Sequence, residues 1–125
     1  MYAIGAQPDV GKPLQTVAET PAYLSKSGRF MSDEEREEVV AMLAADPMIG
    51  KIIKGTGGLR KARTALAGRG KRGGARVIYW FHSAAYPAVL LWAFAKNEAD
   101  DLTAEQRKVL ARESQRLLED FGGSR

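Results

Sequence analysis

In residues 14–20, Leu-Gln-Thr-Val-Ala-Glu-Thr, apolar and polar positions alternate with the two-residue period of a half-buried strand. Pro21 ends the run by lacking a backbone donor and restricting the residue before it. The same proline suits the first turn of a short helix through Tyr23 and Leu24 that stops near Gly28, just after Lys26. Ser32-Asp-Glu-Glu35 has the spacing of a capping box and opens a second helix to about Ala45. Val39, Val40, Met42 and Leu43 give that helix an apolar side, acids crowd its positive end, and Asp46-Pro47 stops it. Residues 48–54 read as a linker with two apolar anchors, and Gly55-Thr-Gly-Gly58 as a turn.

Strands are expected over residues 59–65, 75–81 and 88–95, the last of these unbroken in its apolar character and therefore central and most buried. Residues 66–74, with Gly68, Gly70, Gly73 and Gly74, form the hairpin loop between the first two. A second capping box, Thr103-Ala-Glu-Gln106, opens a helix through Val109, Leu110, Leu117, Leu118 and Phe121 that ends at Gly122-Gly123. Residues 1–13, interrupted by Gly5, Pro8, Gly11 and Pro13, read as a flexible arm outside a single domain spanning 14–125. The expected fold class is α+β: a small antiparallel sheet with helices packed on it.

Length and composition narrow the partners. A chain of 125 residues buries roughly two-thirds of its unfolded surface and needs no staple to hold a core. It contains no Cys, which excludes disulfides, thiolate metal sites and a Cys nucleophile. Its longest apolar run, residues 88–95, falls far short of the roughly 20 residues of a membrane span. The first residues lack the basic start and long apolar segment of a secretory signal, so a cytoplasmic protein with no membrane partner is expected.

Charge changes the picture most. Lys51, Lys54, Arg60, Lys61, Arg63, Arg69, Lys71, Arg72 and Arg76 follow one another with no Asp or Glu among them, nine of the 19 Lys and Arg in a chain of net charge +4. Acids collect instead in Asp33, Glu34, Glu35, Glu37 and Glu38 and in Glu98, Asp100, Asp101 and Glu105. A positive face with acid elsewhere steers a polyanion to one surface, and a nucleic-acid backbone is the first partner to consider. Strand parity sends Lys61 and Arg63 to one face and Arg60 to the other, where an ordinary surface or partner-contact charge is the alternative to a substrate contact. If the hairpin pairs in its simplest register, Arg76 joins Lys61 and Arg63. Trp80 and Trp92 offer faces for stacking on a base, although Trp in a strand more often belongs to the core, where parity also directs Tyr79. His82, the one histidine, stands at a turn.

Several motifs in fixed order carry a resemblance: Asp46-Pro47, Gly50, residues 53–61 (Ile-Lys-Gly-Thr-Gly-Gly-Leu-Arg-Lys) and Arg63, then Gly70-Lys-Arg-Gly-Gly74, Arg76-Val-Ile-Tyr79, Lys96-Asn-Glu98, Asp101-Leu-Thr103 and Gln106-Arg-Lys108. From about residue 14 to residue 110 the chain resembles the HigB branch of the RelE-type toxins. That resemblance implies a microbial-ribonuclease-like α+β fold and a toxin that enters the ribosomal A site and cuts translated mRNA there without a cofactor or a metal. It also implies an antitoxin encoded beside it, which silences the toxin and with it binds operator DNA. Lys61, Arg63 and Arg76 fall on the family's catalytic cations. Arg60, Arg69, Lys71, Arg72, Trp80 and Lys96 are the expected substrate contacts. The chain departs from the best-known pattern at Asn97 and Thr103, where an Arg and a stacking Tyr are usual, which leaves Lys96, Arg69 and Lys71 as alternative proton donors.

Such a cluster must work without a histidine pair. Attack by a 2′-hydroxyl calls for a proton acceptor, a stabilised phosphorane and a donor to the leaving 5′-oxygen. Neighbouring cations disfavour a lysine's ammonium form, so the expected roles are Lys61 as base and Arg63 with Arg76 as phosphate holders. A non-catalytic basic module that binds RNA or DNA and regulates with a partner protein is the alternative, and cleavage separates the two.

Overall fold

A computed structural model describes residues 13–66, 74–99 and 101–122. The chain runs β1 (Val17–Glu19), α1 (Pro21–Ser27), α2 (Asp33–Ala45), β2 (Lys51–Ile52), β3 (Arg60–Thr64), β4 (Ala75–Trp80), β5 (Ala88–Ala95) and α3 (Ala104–Leu117), the last continuing into a π-helical turn, Leu118–Gly122. Of the arm expected over 1–13, only Pro13 falls within the described residues.

Local chemistry accounts for the helix boundaries. The Thr20 hydroxyl accepts from the Tyr23 amide at 3.2 Å and donates to the Leu90 carbonyl at 2.8 Å, so one side chain caps α1 and fastens it to β5. Both expected capping boxes form. Ser32 accepts from the Glu35 amide at 3.0 Å while Glu35 accepts from the Ser32 amide at 2.8 Å, and Thr103 and Gln106 repeat the exchange at 3.0 and 2.9 Å.

The strands make one sheet in the order β1-β5-β4-β3-β2. It is mixed where an antiparallel sheet was expected, because β1 pairs parallel with β5. The linker expected over 48–54 contains the edge strand β2, antiparallel to β3. A two-residue strand is too short to leave a periodic signal. The centre of the sheet is β4, and β5 lies beside it, buried over seven of its eight residues.

Each face of the sheet has its own core. Tyr23, Val39 and Leu43 of α1 and α2 cover Ala62, Val77, Tyr79, Leu90 and Ala93. Leu110 of α3 packs over Leu59, Ile78, Trp80, Val89, Leu91 and Phe94 on the other face. The register of β4 against β5 shifts after Ile78, which pairs with Trp92 while Tyr79 pairs with Leu90, and leaves Leu91 as a bulge. That extra residue reverses the alternation, so Val89 and Leu91 share a face with Trp92 and Phe94.

Between β2 and β3 the chain turns through Gly55, Gly57 and Gly58 at φ of +79°, +73° and +105°, conformations that favour glycine. Buried Thr56 closes the turn, donating to the Ile53 carbonyl at 2.6 Å and accepting from the Leu59 amide at 3.2 Å. Ser114 of α3 donates to the Gly57 carbonyl at 3.2 Å, which ties the helix to the turn.

Candidate active site

At one end of the sheet the face that carries α3 is open, and cations fill it. The β3–β4 register sets Arg63 directly opposite Arg76, with Lys61 two residues along the same face of β3. The β2–β3 register adds Lys51 opposite Lys61. Lys51, Lys61, Arg63, Arg76 and Lys96, together with Ile49, line an open cleft of about 640 Å³. Gly74 lets the two strands meet at this end, since a Cβ there would stand 2.1 Å from the Thr64 carbonyl oxygen.

The electrostatics of the cleft are set by burial and by like charge. Partial burial and the facing Arg63 lower the Arg76 guanidinium from its ordinary value, with Asp101 acting in the opposite direction. Asp101 was not among the expected site residues, yet its Oδ1 accepts from Lys61 Nζ at 3.0 Å. The same oxygen accepts from the Leu102 amide at 2.8 Å, and Arg107 Nη2 stands 3.8 Å from Oδ2. Burial pushes the Asp101 carboxyl up, but the Leu102 amide, Lys61 and Arg107 together hold it below the usual carboxylate range. The cluster therefore contains a carboxylate, contrary to the all-cationic site expected from sequence.

The other expected contacts divide. Lys96 lines the cleft. Arg69, Lys71 and Arg72 lie outside the described residues. Arg60 projects to the opposite face, where its Nη1 donates to the Gly50 carbonyl at 2.7 Å and the Met48 carbonyl at 3.2 Å. It holds the loop before β2 instead of lining the cleft. Trp80 shares the face of Arg76, but at the end covered by α3 and the π-helical turn. It is 3% exposed, against Phe121 at 6.0 Å and stacked with His82 at 5.9 Å. Neither ring face is available to a base. His82 stands six residues beyond Arg76, roughly 20 Å along an extended strand, too far to serve the same phosphate. Trp92 is half-buried, with Lys26 Nζ 4.5 Å from its ring centre.

The loop that carries Ile49 to the cleft is held from beneath as well. Tyr79 is buried, and its hydroxyl donates to the Pro47 carbonyl at 2.7 Å and accepts from the Gly50 amide at 2.9 Å. Burial raises this phenol above its ordinary value, the Gly50 amide offsetting part of the rise. Gly50 must be glycine here, since a Cβ would lie 2.9 Å from the Tyr79 ring. Tyr79→Phe leaves the Gly50 amide unpaired and is expected to destabilise the protein by about 1–3 kcal/mol in urea unfolding. An unchanged unfolding midpoint would show that the clamp is dispensable.

One residue of the cleft and one partner of a cleft lysine escaped sequence reasoning. Lys51 was visible as a charge, but its position depended on the unrecognised strand β2. Asp101 lies 40 residues from its partner Lys61, and no local pattern links them. Among the described residues no group of three or more His, Asp or Glu is arranged to hold a metal ion, and no helix is long and apolar enough to cross a membrane.

The family model for the RelE toxin of the RelE / RelB toxin–antitoxin system matches residues 29–120, from just before α2 into the π-helical turn. The match takes in every element that lines the cleft. Toxins of this family are generally endoribonucleases and pair with a RelB-type antitoxin. With nearly three-quarters of its length matched, this chain belongs to the RelE toxin family and is the toxin of a toxin–antitoxin pair.

Proposed function

We propose that this protein is a toxin of the HigB branch that enters the ribosomal A site and cuts translated mRNA by attack of a 2′-hydroxyl on the adjacent phosphate. One observation carries the proposal: Arg63 and Arg76 face each other across paired strands, with Lys61, Lys51 and Lys96 around the same cleft. Like charges directly opposite weaken a sheet, and a polyanion seated between them relieves that repulsion.

Arg63 and Arg76 hold the scissile phosphate with their forked donors, which no pH change near neutrality discharges. Lys61 acts as a cation held by Asp101, to which its Nζ donates, and not in the neutral-base role expected from sequence. It stabilises the charge that develops on the phosphorane. The 2′-hydroxyl proton leaves to water, the new bond from the 2′-oxygen to phosphorus closes a cyclic phosphate, and the 5′-oxygen departs with a proton supplied by Lys96. Thr103, at the position where the family pattern has a stacking Tyr, caps α3 instead.

A site with no strong base depends on orientation from outside, which the ribosome supplies by fixing the codon. The setting is accordingly cytoplasmic. Silencing by the cognate antitoxin, and operator binding by the pair, complete the reading. Induction in bacteria with mapping of mRNA 5′ ends tests it: new ends in frame with the codons are expected. Ends without regard to frame would point to an ordinary ribonuclease. No new ends, with soluble protein present, would favour a non-catalytic RNA- or DNA-binding module.

A further inference from the structure

The Lys61–Asp101 contact has features that stability does not explain. Both side chains are at least partly exposed, at 30% and 45%, and solvent-screened ion pairs stabilise a fold very little. Yet Asp101 is held at several points. Its Oδ1 accepts from the Leu102 amide, Leu102 is buried beneath α3, and Thr103 caps that helix. Arg107 reaches the second carboxylate oxygen from the first turn of α3, its Nε buried with no partner of its own. A carboxylate therefore stands beside the cleft, bonded to one of its lysines, where the described charged lining is cationic, and it repels the phosphates those cations attract.

A long, flexible lysine loses reach and direction without an anchor, and Asp101 supplies one. We propose that Asp101 is a positioning residue that acts through Lys61: it aims the ammonium beside Arg63 and Arg76, trading RNA affinity for cleavage. This inference rests on the nuclease reading, but its binding consequence can be measured separately.

The test compares wild type, Asp101→Asn, Lys61→Met and the double variant. Asn keeps an acceptor for the Leu102 amide while removing the charge. Two quantities are read: affinity for a short RNA with a 2′-deoxy residue at the cleavage position, and the saturating cleavage rate on programmed ribosomes. Asp101→Asn is expected to bind that RNA about threefold more tightly, since one repulsive charge is gone. It is also expected to cleave about tenfold more slowly, since the ammonium has lost its aim. In the Lys61→Met background the same change should alter cleavage by less than about twofold, because positioning has nothing left to act on, while the roughly threefold tighter binding persists, because the repulsive charge is lost there as well. Asp101→Glu should recover cleavage to within about threefold of wild type.

Cleavage by Asp101→Asn at the wild-type rate would overturn the inference. So would a variant that binds more weakly as well as cutting more slowly, the mark of a merely structural role, or a loss undiminished in the Lys61→Met background. If wild-type protein does not cut at all, the nuclease reading falls by itself. The binding comparison then decides the other half of the inference: tighter binding by Asp101→Asn supports a carboxylate that opposes RNA, and unchanged binding refutes it.

Discussion

Replacing Arg63 and Arg76 together by alanine is expected to lower single-turnover cleavage on programmed ribosomes by about 10³-fold or more while leaving the fold intact. Loss of one preorganised donor to a developing charge costs about 10²–10³ in rate, and two groups that grip one phosphate act as a unit and are not additive. The stability change should run the other way. The two guanidiniums stand directly opposite across β3 and β4, a like-charge pairing that disfavours the strands by about 0.2–1 kcal/mol. The double variant should therefore melt no lower than wild type, and slightly higher at low salt, where repulsion is least screened. Falling activity with steady or rising stability is the signature of residues kept for function. Cleavage within about tenfold of wild type would remove both arginines from the mechanism, and unfolding of the double variant would mean that the cleft is structural.

The second large effect separates two roles for Lys61. If its charge is what matters, Lys61→Arg should retain activity within about tenfold of wild type, whereas Lys61→Met should lose about 10²-fold or more. Arginine keeps the positive charge at every accessible pH and can still donate to Asp101, so it serves as a stabiliser but never as a base. If a neutral lysine instead takes the 2′-hydroxyl proton, Arg and Met should be equally inactive. Equal loss would restore the role read from the sequence. The two substitutions should be compared at saturating protein, so that weakened ribosome binding is not taken for slowed chemistry.

Much of this architecture was legible because it is local. The capping boxes at Ser32 and Thr103 fix helix starts through residues three positions apart, and both formed as read. Proline at 21 and glycine at 28 bracketed α1 for similarly short-range reasons. Strand parity on either side of a glycine-rich hairpin was enough to bring Arg63 opposite Arg76. What stayed hidden depends on partners remote in sequence. Nothing in residues 17–19 says that they lie parallel to β5, a choice expressed in the bond from the Thr20 hydroxyl to the Leu90 carbonyl. The bulge at Leu91 reverses the alternation within an otherwise uniform apolar run, where no polar residue marks the change.

The site follows the same division. Trp80 read as a possible stacking face because the residues that cover it arrive from the C-terminal helix and Phe121. Arg60 appeared as one more cation because its acceptors, the carbonyls of Met48 and Gly50, belong to a loop whose path only the fold reveals. Asp101 stood inside a recognised motif, yet it read as part of an acidic block. Only the approach of β3 to the loop before α3 turns it into the partner of Lys61.

The most direct measurement is the rate at which purified protein cuts one mRNA, first free in solution and then positioned in the A site of a programmed ribosome, under the same buffer and salt. The account predicts cleavage of the ribosome-bound message at least about 10³-fold faster, at a defined place in the codon, because the cleft supplies charge while the ribosome supplies orientation. Comparable rates on the two forms would contradict it, and would make the cleft a self-sufficient ribonuclease site.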